Sequence, residues 1–364
     1  MATETAWART PTAEDGWLPA GRPDRRRAGA MVAAQATRQG VGAMRTNSLP
    51  ADDKGCVERT VITDDGVRLA VADYHAGGQA SCTVVLLHGL CLRKESWTLP
   101  LDDLRECWGE EIRIVTYDHR GHGNSGDAHT STYHPEQLAH DLAAVIRTLH
   151  IESPVVLAGH SMGGMAALEY VALPAEQRPV DPDGLVLVAT AAGRLAERGL
   201  GRLLGSSALG VLVELVERMP HQAAERVARA IVGPACAMLA RHHGHSTRSW
   251  EALTAVTADA VRSARIRTAV GFLVGLKHFD QYRVLKQIAA ATVIISGGTD
   301  MLTPVSHAQD LATAIPGAAH VHHPTAGHML LSEVPRSVTA SINRVIARTG
   351  SGVKSSTTVA IAAS

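Results

Sequence analysis

From Val57 onward, short apolar runs alternate with amphipathic stretches. The runs CTVVLLHG, IRIVTYDHRG, PVVLAGHS, DGLVLVAT and ATVIISGGTD are each bounded by glycine or a polar turn. Uninterrupted apolar runs of this length predict strands buried on both faces, the pattern of a parallel sheet. Between two of them, PEQLAHDLAAVIRTLH sets Leu138, Leu142, Val145, Ile146 and Leu149 on one helical face. Strand alternating with helix predicts an α/β fold around a mostly parallel sheet. Ahead of these runs, VERTVITDDGVRLAVADYHAGG holds two β-rich segments around Asp64-Asp65-Gly66. Asp-Gly between such segments is a hairpin signal, so the fold should open with two antiparallel strands.

The alternation fails once. Between the strand ending near Thr190 and the strand starting near Thr292 lies a long stretch rich in Ala, Leu, Arg and Gly with helical periodicity. A crossover between neighbouring strands needs only about a dozen residues or slightly more, so this stretch reads as an inserted helical cap. The predicted organisation is a core over residues 56–191 and 286–349, a cap over 192–285, a disordered or mis-started extension over 1–55 and a flexible tail over 350–364. Within the extension, Arg25-Arg26-Arg27 precedes AGAMVAAQA, the order of a twin-arginine export signal, but the apolar run is brief and broken by Gln35. A disordered extension, or a start codon called too early with Met31 or Met44 as the true beginning, is the simpler account, and a cytoplasmic protein is expected, with export the minor reading.

Composition narrows the partners. The chain has 364 residues, 45% hydrophobic and 19% charged, enough to bury a full core. Its 35 basic residues balance 35 acidic ones, so no net field draws it to nucleic acid or to an anionic membrane. No run reaches the roughly 18 apolar residues of a spanning helix. The five cysteines, Cys56, Cys82, Cys91, Cys107 and Cys236, show no CxxC spacing. A small molecule is the expected partner.

The strongest chemical signal is Gly159-His160-Ser161-Met162-Gly163, between the apolar run VVLA and the helical stretch MAALEYVAL. A serine on a sharp strand-to-helix turn is lifted above the sheet, and small residues let the backbones pass. Serine needs a base, and the base needs an orienting acid. The chain order serine, acid, histidine points to Asp300, at the end of VIISGGTD, and to His328, in TAGHMLLSE after AHVHH. No acid follows DGLVLVAT before Glu197, and His320, His322 and His323 lie in or beside the preceding strand. Two backbone donors should face the oxyanion, the N–H of Met162 and, after His88-Gly89, that of Leu90. His88, Gly89, Gly159, His160 and Gly163 are expected to support the turn and the loop. Arg241-His242-His243-Gly244-His245 reads as a solvated cap loop, since no carboxylate spacing supports a metal there. With no Walker-type glycine loop and no dinucleotide fingerprint, neither a metal nor a cofactor is expected.

On these residues, together with Asp118-His119-Arg120-Gly121-His122-Gly123-Asn124-Ser125, the chain resembles the α/β-hydrolase family over about residues 57–348. The resemblance implies an eight-stranded sheet with helices on both faces and a variable cap after the sixth strand. It gives the Asp118–Ser125 segment a bracing role rather than a catalytic one. Ser161, where an aspartate would suggest an epoxide hydrolase or dehalogenase, implies carboxylic ester hydrolysis on a small or lipid-like acyl substrate. C–C bond hydrolysis, lactone opening, cofactor-free haloperoxidase or perhydrolase chemistry, and non-catalytic ligand binding occur on the same fold and are the alternatives. In the cap, GLGRLLGSSALGVLVELVERM is read first as packing on the sheet and second as lining an acyl pocket.

Overall fold

The computed structural model of the chain describes residues 55–75, 80–199 and 265–349, with the isolated positions 202, 210, 211, 214 and 218. All belong to the compact unit that contains Gly55–Val353. The predicted tail, residues 1–54 of the predicted extension, the Arg241–His245 run and most of the predicted cap lie outside the described residues.

The apolar runs form strands. β1 (Cys56–Ile62) and β2 (Arg68–Tyr74) pair antiparallel, joined by the predicted turn at Asp64-Asp65-Gly66. There Gly66 takes φ 83, the left-handed conformation that the turn demands, and Thr63 Oγ1 donates to Asp65 Oδ1 at 2.6 Å. β3 (Cys82–Leu87), β4 (Ile112–Tyr117), β5 (Val155–His160), β6 (Gly184–Val188), β7 (Ala291–Gly297) and β8 (Ala319–His323) follow. The eight strands make one sheet in the order β1-β2-β4-β3-β5-β6-β7-β8. β2 meets β4 antiparallel, and every pairing from β4 through β8 is parallel. β3, β5 and β6 are buried throughout, as their continuous apolar composition requires. β8, with its three histidines, tolerates partial exposure because it is an edge.

Helices cover both faces. On one, α2 (Pro135–Thr148), α3 (Met162–Ala172) and α5 (Val305–Ala314) bury Leu138, Leu142, Leu168 and Leu311 against Val85, Leu157 and Leu187. On the other, α1 (Thr98–Trp108) and α7 (Pro335–Thr349) bury Leu104, Val338 and Ile342 against Val84, Val156 and Val186. Alternate residues of each strand thus feed different clusters, as the pleat dictates. The predicted face of α2 is the buried one, although the helix ends at Thr148 and Leu149 is its cap. α4 (Ile266–His278) and α6 (Leu330–Glu333) complete the described helices. α4 falls inside the stretch assigned to the cap, and its Phe272 is fully buried in the first cluster beside Tyr133.

A buried ion pair ties the strand-turn region to α2. Arg120 is fully buried and grips Asp141 through Nε (2.7 Å) and a terminal nitrogen (2.6 Å). The same terminal nitrogen also reaches Asp65 at 3.0 Å, and the second one reaches Asp65 at 2.8 Å and Thr132 Oγ1 at 2.9 Å. Truncation to Arg120→Ala strands the buried Asp141 carboxylate, which costs about 3–5 kcal/mol. Urea unfolding of the two proteins measures this, and a difference below about 1 kcal/mol would show that the pair is energetically idle.

Candidate active site

Parallel strands end at the same edge of a sheet, so the loops after β3, β4, β5, β7 and β8 gather there. Five of the sequence motifs lie on those loops. β5 ends at His160, Ser161 turns the chain with φ 52 and ψ −117, and α3 starts at Met162. A positive φ on serine is strained, and it persists because the surroundings hold it. The Ser161 N–H donates to Val188 O at 2.9 Å, and its carbonyl accepts from Thr190 Oγ1 at 2.7 Å. Gly163 permits the close packing of this turn: a Cβ there would collide with Leu87 O and stand 2.7 Å from His88 O. A Cβ on Gly89 would lie 2.9 Å from His160 Nδ1 and 3.3 Å from Ser161 Cβ. The loop after β3 therefore lies directly against the serine turn. Neither the N–H of Leu90 nor that of Met162 donates a hydrogen bond to a described residue. Backbone donors without a partner among the described residues, one after Gly89 and one directly after Ser161, are of the kind that an oxyanion would use.

Asp300 follows β7 and is buried. Its Oδ1 accepts the N–H groups of Leu302 (2.8 Å) and Thr303 (2.9 Å). Its Oδ2 accepts Thr303 Oγ1–H at 2.7 Å and His328 Nδ1–H at 2.8 Å. Burial alone would raise this carboxyl, but the imidazole and these donors outweigh it and hold it below the ordinary aspartate value. With Nδ1 as the donor, the Nε2 of a neutral His328 ring is left as an acceptor. Among the described residues no hydrogen bond joins the Ser161 hydroxyl to the His328 ring. Such contacts are often loose before substrate binds. The two residues are neighbours through His160, whose ring lies 5.1 Å from that of His328 and whose Nε2–H donates to the His328 carbonyl at 2.9 Å.

Three further histidines tie the loops together. His88 Nδ1–H donates to Gly89 O (2.8 Å), and its Nε2 accepts the His119 N–H (2.9 Å). His119 Nε2–H returns to His88 O (3.1 Å). His122 Nδ1–H donates to Arg120 O (3.0 Å), and its Nε2 accepts the Cys91 N–H (3.2 Å). Burial pushes His88, His122 and His160 down to about 3 and His119 well below its ordinary value, so all four act as neutral struts. Asp118 accepts the N–H groups of Lys94 and Asn124, both at 2.8 Å. The Asp118–Ser125 segment thus braces the loop after β3.

A family model described as alpha/beta hydrolase fold matches residues 83–335, well over half of the chain. The chain belongs to the α/β-hydrolase family. The family match establishes the fold and leaves the reaction open. The esterase EaEST from Exiguobacterium antarcticum superposes with a TM-score of 0.64 at 21% identity, over 80% of this chain and 100% of that one. At that identity the likeness concerns the fold. The sn-1-specific diacylglycerol lipase ABHD11 of Mus musculus is 26% identical over 265 residues, 72% of this chain and 80% of its own. "Probable oxidoreductase EphD" of Mycobacterium tuberculosis is 37% identical over 119 residues, 32% of this chain. This α/β-hydrolase spans only 19% of that relative's length in the match, so the similarity concerns a segment of EphD.

Two residues at the site of this α/β-hydrolase escape sequence reasoning. Thr303 shares Asp300 Oδ2 with His328, and Glu333 accepts from the backbone on either side of His328. Thr303 stands three residues after Asp300, where a side-chain turn bond is common, so a weak signal existed. For Glu333 none did, because its partners are backbone amides. Among the described residues no group of three or more His, Cys, Asp or Glu is placed to hold a metal. No described helix is long and apolar enough to cross a membrane.

Proposed function

We propose that this α/β-hydrolase cleaves carboxylic esters through an acyl-enzyme, with Ser161 as nucleophile, His328 as general base and Asp300 as the orienting acid. The observation that carries the reading is the 2.8 Å contact between His328 Nδ1 and buried Asp300 Oδ2, on loops that meet the strained turn at Ser161. In the reaction His328 Nε2 takes the hydroxyl proton as Ser161 Oγ bonds to the ester carbonyl carbon. The N–H groups of Leu90 and Met162 receive the oxyanion. His328 then returns the proton to the departing alcohol, and water repeats the sequence to release the acid. No cofactor or metal enters. We read the long connection between β6 and β7, residues 192–285, as a cap over the site, which would set the size of the acyl group. The ABHD11 similarity supports including lipid-like acyl chains among the substrates. We assign the protein to the cytoplasm, which suits its scattered cysteines.

The test is a panel of p-nitrophenyl esters of increasing acyl length, run with and without a fluorophosphonate, followed by mapping of the labelled peptide. Turnover should show an optimum in chain length and vanish as one label per chain accumulates on Ser161. Labelling of Ser161 without cleavage of any ester would overturn the ester assignment in favour of lactone, C–C or perhydrolysis chemistry. Neither labelling nor turnover would make the protein a non-catalytic ligand binder.

A further inference from the structure

His328 sits between β8 and α6, on a loop with no regular structure of its own to aim its ring. Three hydrogen bonds supply the missing rigidity. Glu333, at the end of the single turn of α6, reaches back so that Oε2 accepts the Gly327 N–H at 2.6 Å and Oε1 accepts the Met329 N–H at 3.0 Å. Both amides flanking His328 are thereby held by one carboxylate. The third bond runs from His160 Nε2–H to the His328 carbonyl at 2.9 Å. Leu330 and Leu331, both buried, anchor α6 in the core, while Glu333 itself lies on the exposed side. Amide-to-carboxylate bonds are charge-assisted and shorter and stronger than neutral ones. Rotation of the loop would swing Nδ1 away from Asp300 and shift the ring relative to His160, the neighbour of Ser161.

We propose that Glu333 is a positioning residue for the general base: by gripping the amides of Gly327 and Met329 it fixes the loop so that His328 points at once to Asp300 and toward Ser161. The proposal rests on the reading of His328 as the base. It assigns Glu333 no contact with substrate. Loss of the grip should therefore slow the chemical step and leave substrate binding alone, because an ångström of misplacement costs roughly a hundredfold in rate.

Glu333→Gln keeps the shape but turns an amide donor toward one of the two backbone donors. In the full-length protein the variant should show KM for the best p-nitrophenyl ester within about twofold of the parent and kcat reduced by roughly a hundredfold. Fluorophosphonate labelling of Ser161 should slow by a similar factor. The far-downfield proton resonance of the His328 Nδ1–H to Asp300 bond, identified by its loss in His328→Ala, should shift or broaden. A purely structural role makes a different prediction: titration of active sites would find fewer competent molecules, each with parental kcat and an unchanged proton signal. That result, or full activity in the variant, overturns the proposal while the serine mechanism stands. If the parent protein itself is not labelled at Ser161, the base reading fails and the proposal fails with it. Titrating the competent fraction makes each outcome independent of how much of the variant folds.

Discussion

Ser161→Ala lowers kcat for the best ester by about a millionfold, while the urea midpoint stays within error of the parent. The size of the kinetic effect follows from the role. On the proposed mechanism, loss of Oγ removes the acyl-enzyme route and leaves only the proposed oxyanion donors and the binding surface to assist attack by water. The small effect on stability follows from the structure. The Ser161 side chain makes no capping bond at the start of α3, and the bonds that hold the turn use its backbone N–H and carbonyl. Alanine at φ 52 is no more strained than serine, so folded and unfolded states change little. A variant retaining a tenth of the parental kcat would end the nucleophile assignment.

The second large effect is acid instability. His88, His122 and His160 are pushed down to about 3 and His119 lies well below its ordinary value, all by burial. In the unfolded chain each titrates near 6.5. Between those values the unfolded state binds protons that the folded state refuses, so the stability these groups contribute is full above pH 6.5 and drains as pH falls toward 3. Each histidine adds a slope of up to about 1.4 kcal/mol per pH unit, and four acting together approach ~5. With a typical total stability of about 5–15 kcal/mol, the fold should be lost well before the carboxylates titrate. Asp300, held below the ordinary aspartate value, works in the same direction, but only at lower pH. Urea unfolding at half-unit steps from pH 7.5 to 4.5 checks this. A stability flat over that range would mean that the histidine struts take up protons in place.

Much of this was written in local pattern. Continuous apolar runs announced buried parallel strands because they are short, rich in β-branched residues and bounded by glycine or polar turns, and Asp-Gly announced the β1–β2 turn because a positive φ was needed at Gly66. The tight turn at Ser161 was legible because the glycines around it leave the space that a strand-helix crossing requires. That Asp300 and His328 stand on loops beyond late strands was legible from the apolar runs before them, and their 2.8 Å contact came with the fold. Membership of the α/β-hydrolase family followed from these motifs and is shown by the family match over residues 83–335.

Tertiary structure alone decided the rest, and the reason is the same in each instance: the partner is remote in sequence or is plain backbone. Nothing about Arg120 says that Asp65 and Asp141 will close on it, because those contacts span 55 and 21 residues. Nor does any local rule make His88, His119 and His122 neutral struts, since their ring nitrogens meet main-chain atoms of neighbouring loops. Glu333 looks like a surface residue until its carboxylate is seen on the amides of Gly327 and Met329. Side-chain type and spacing thus determined which residues could do chemistry here, whereas the packing of loops against one another decided which groups would hold them in place.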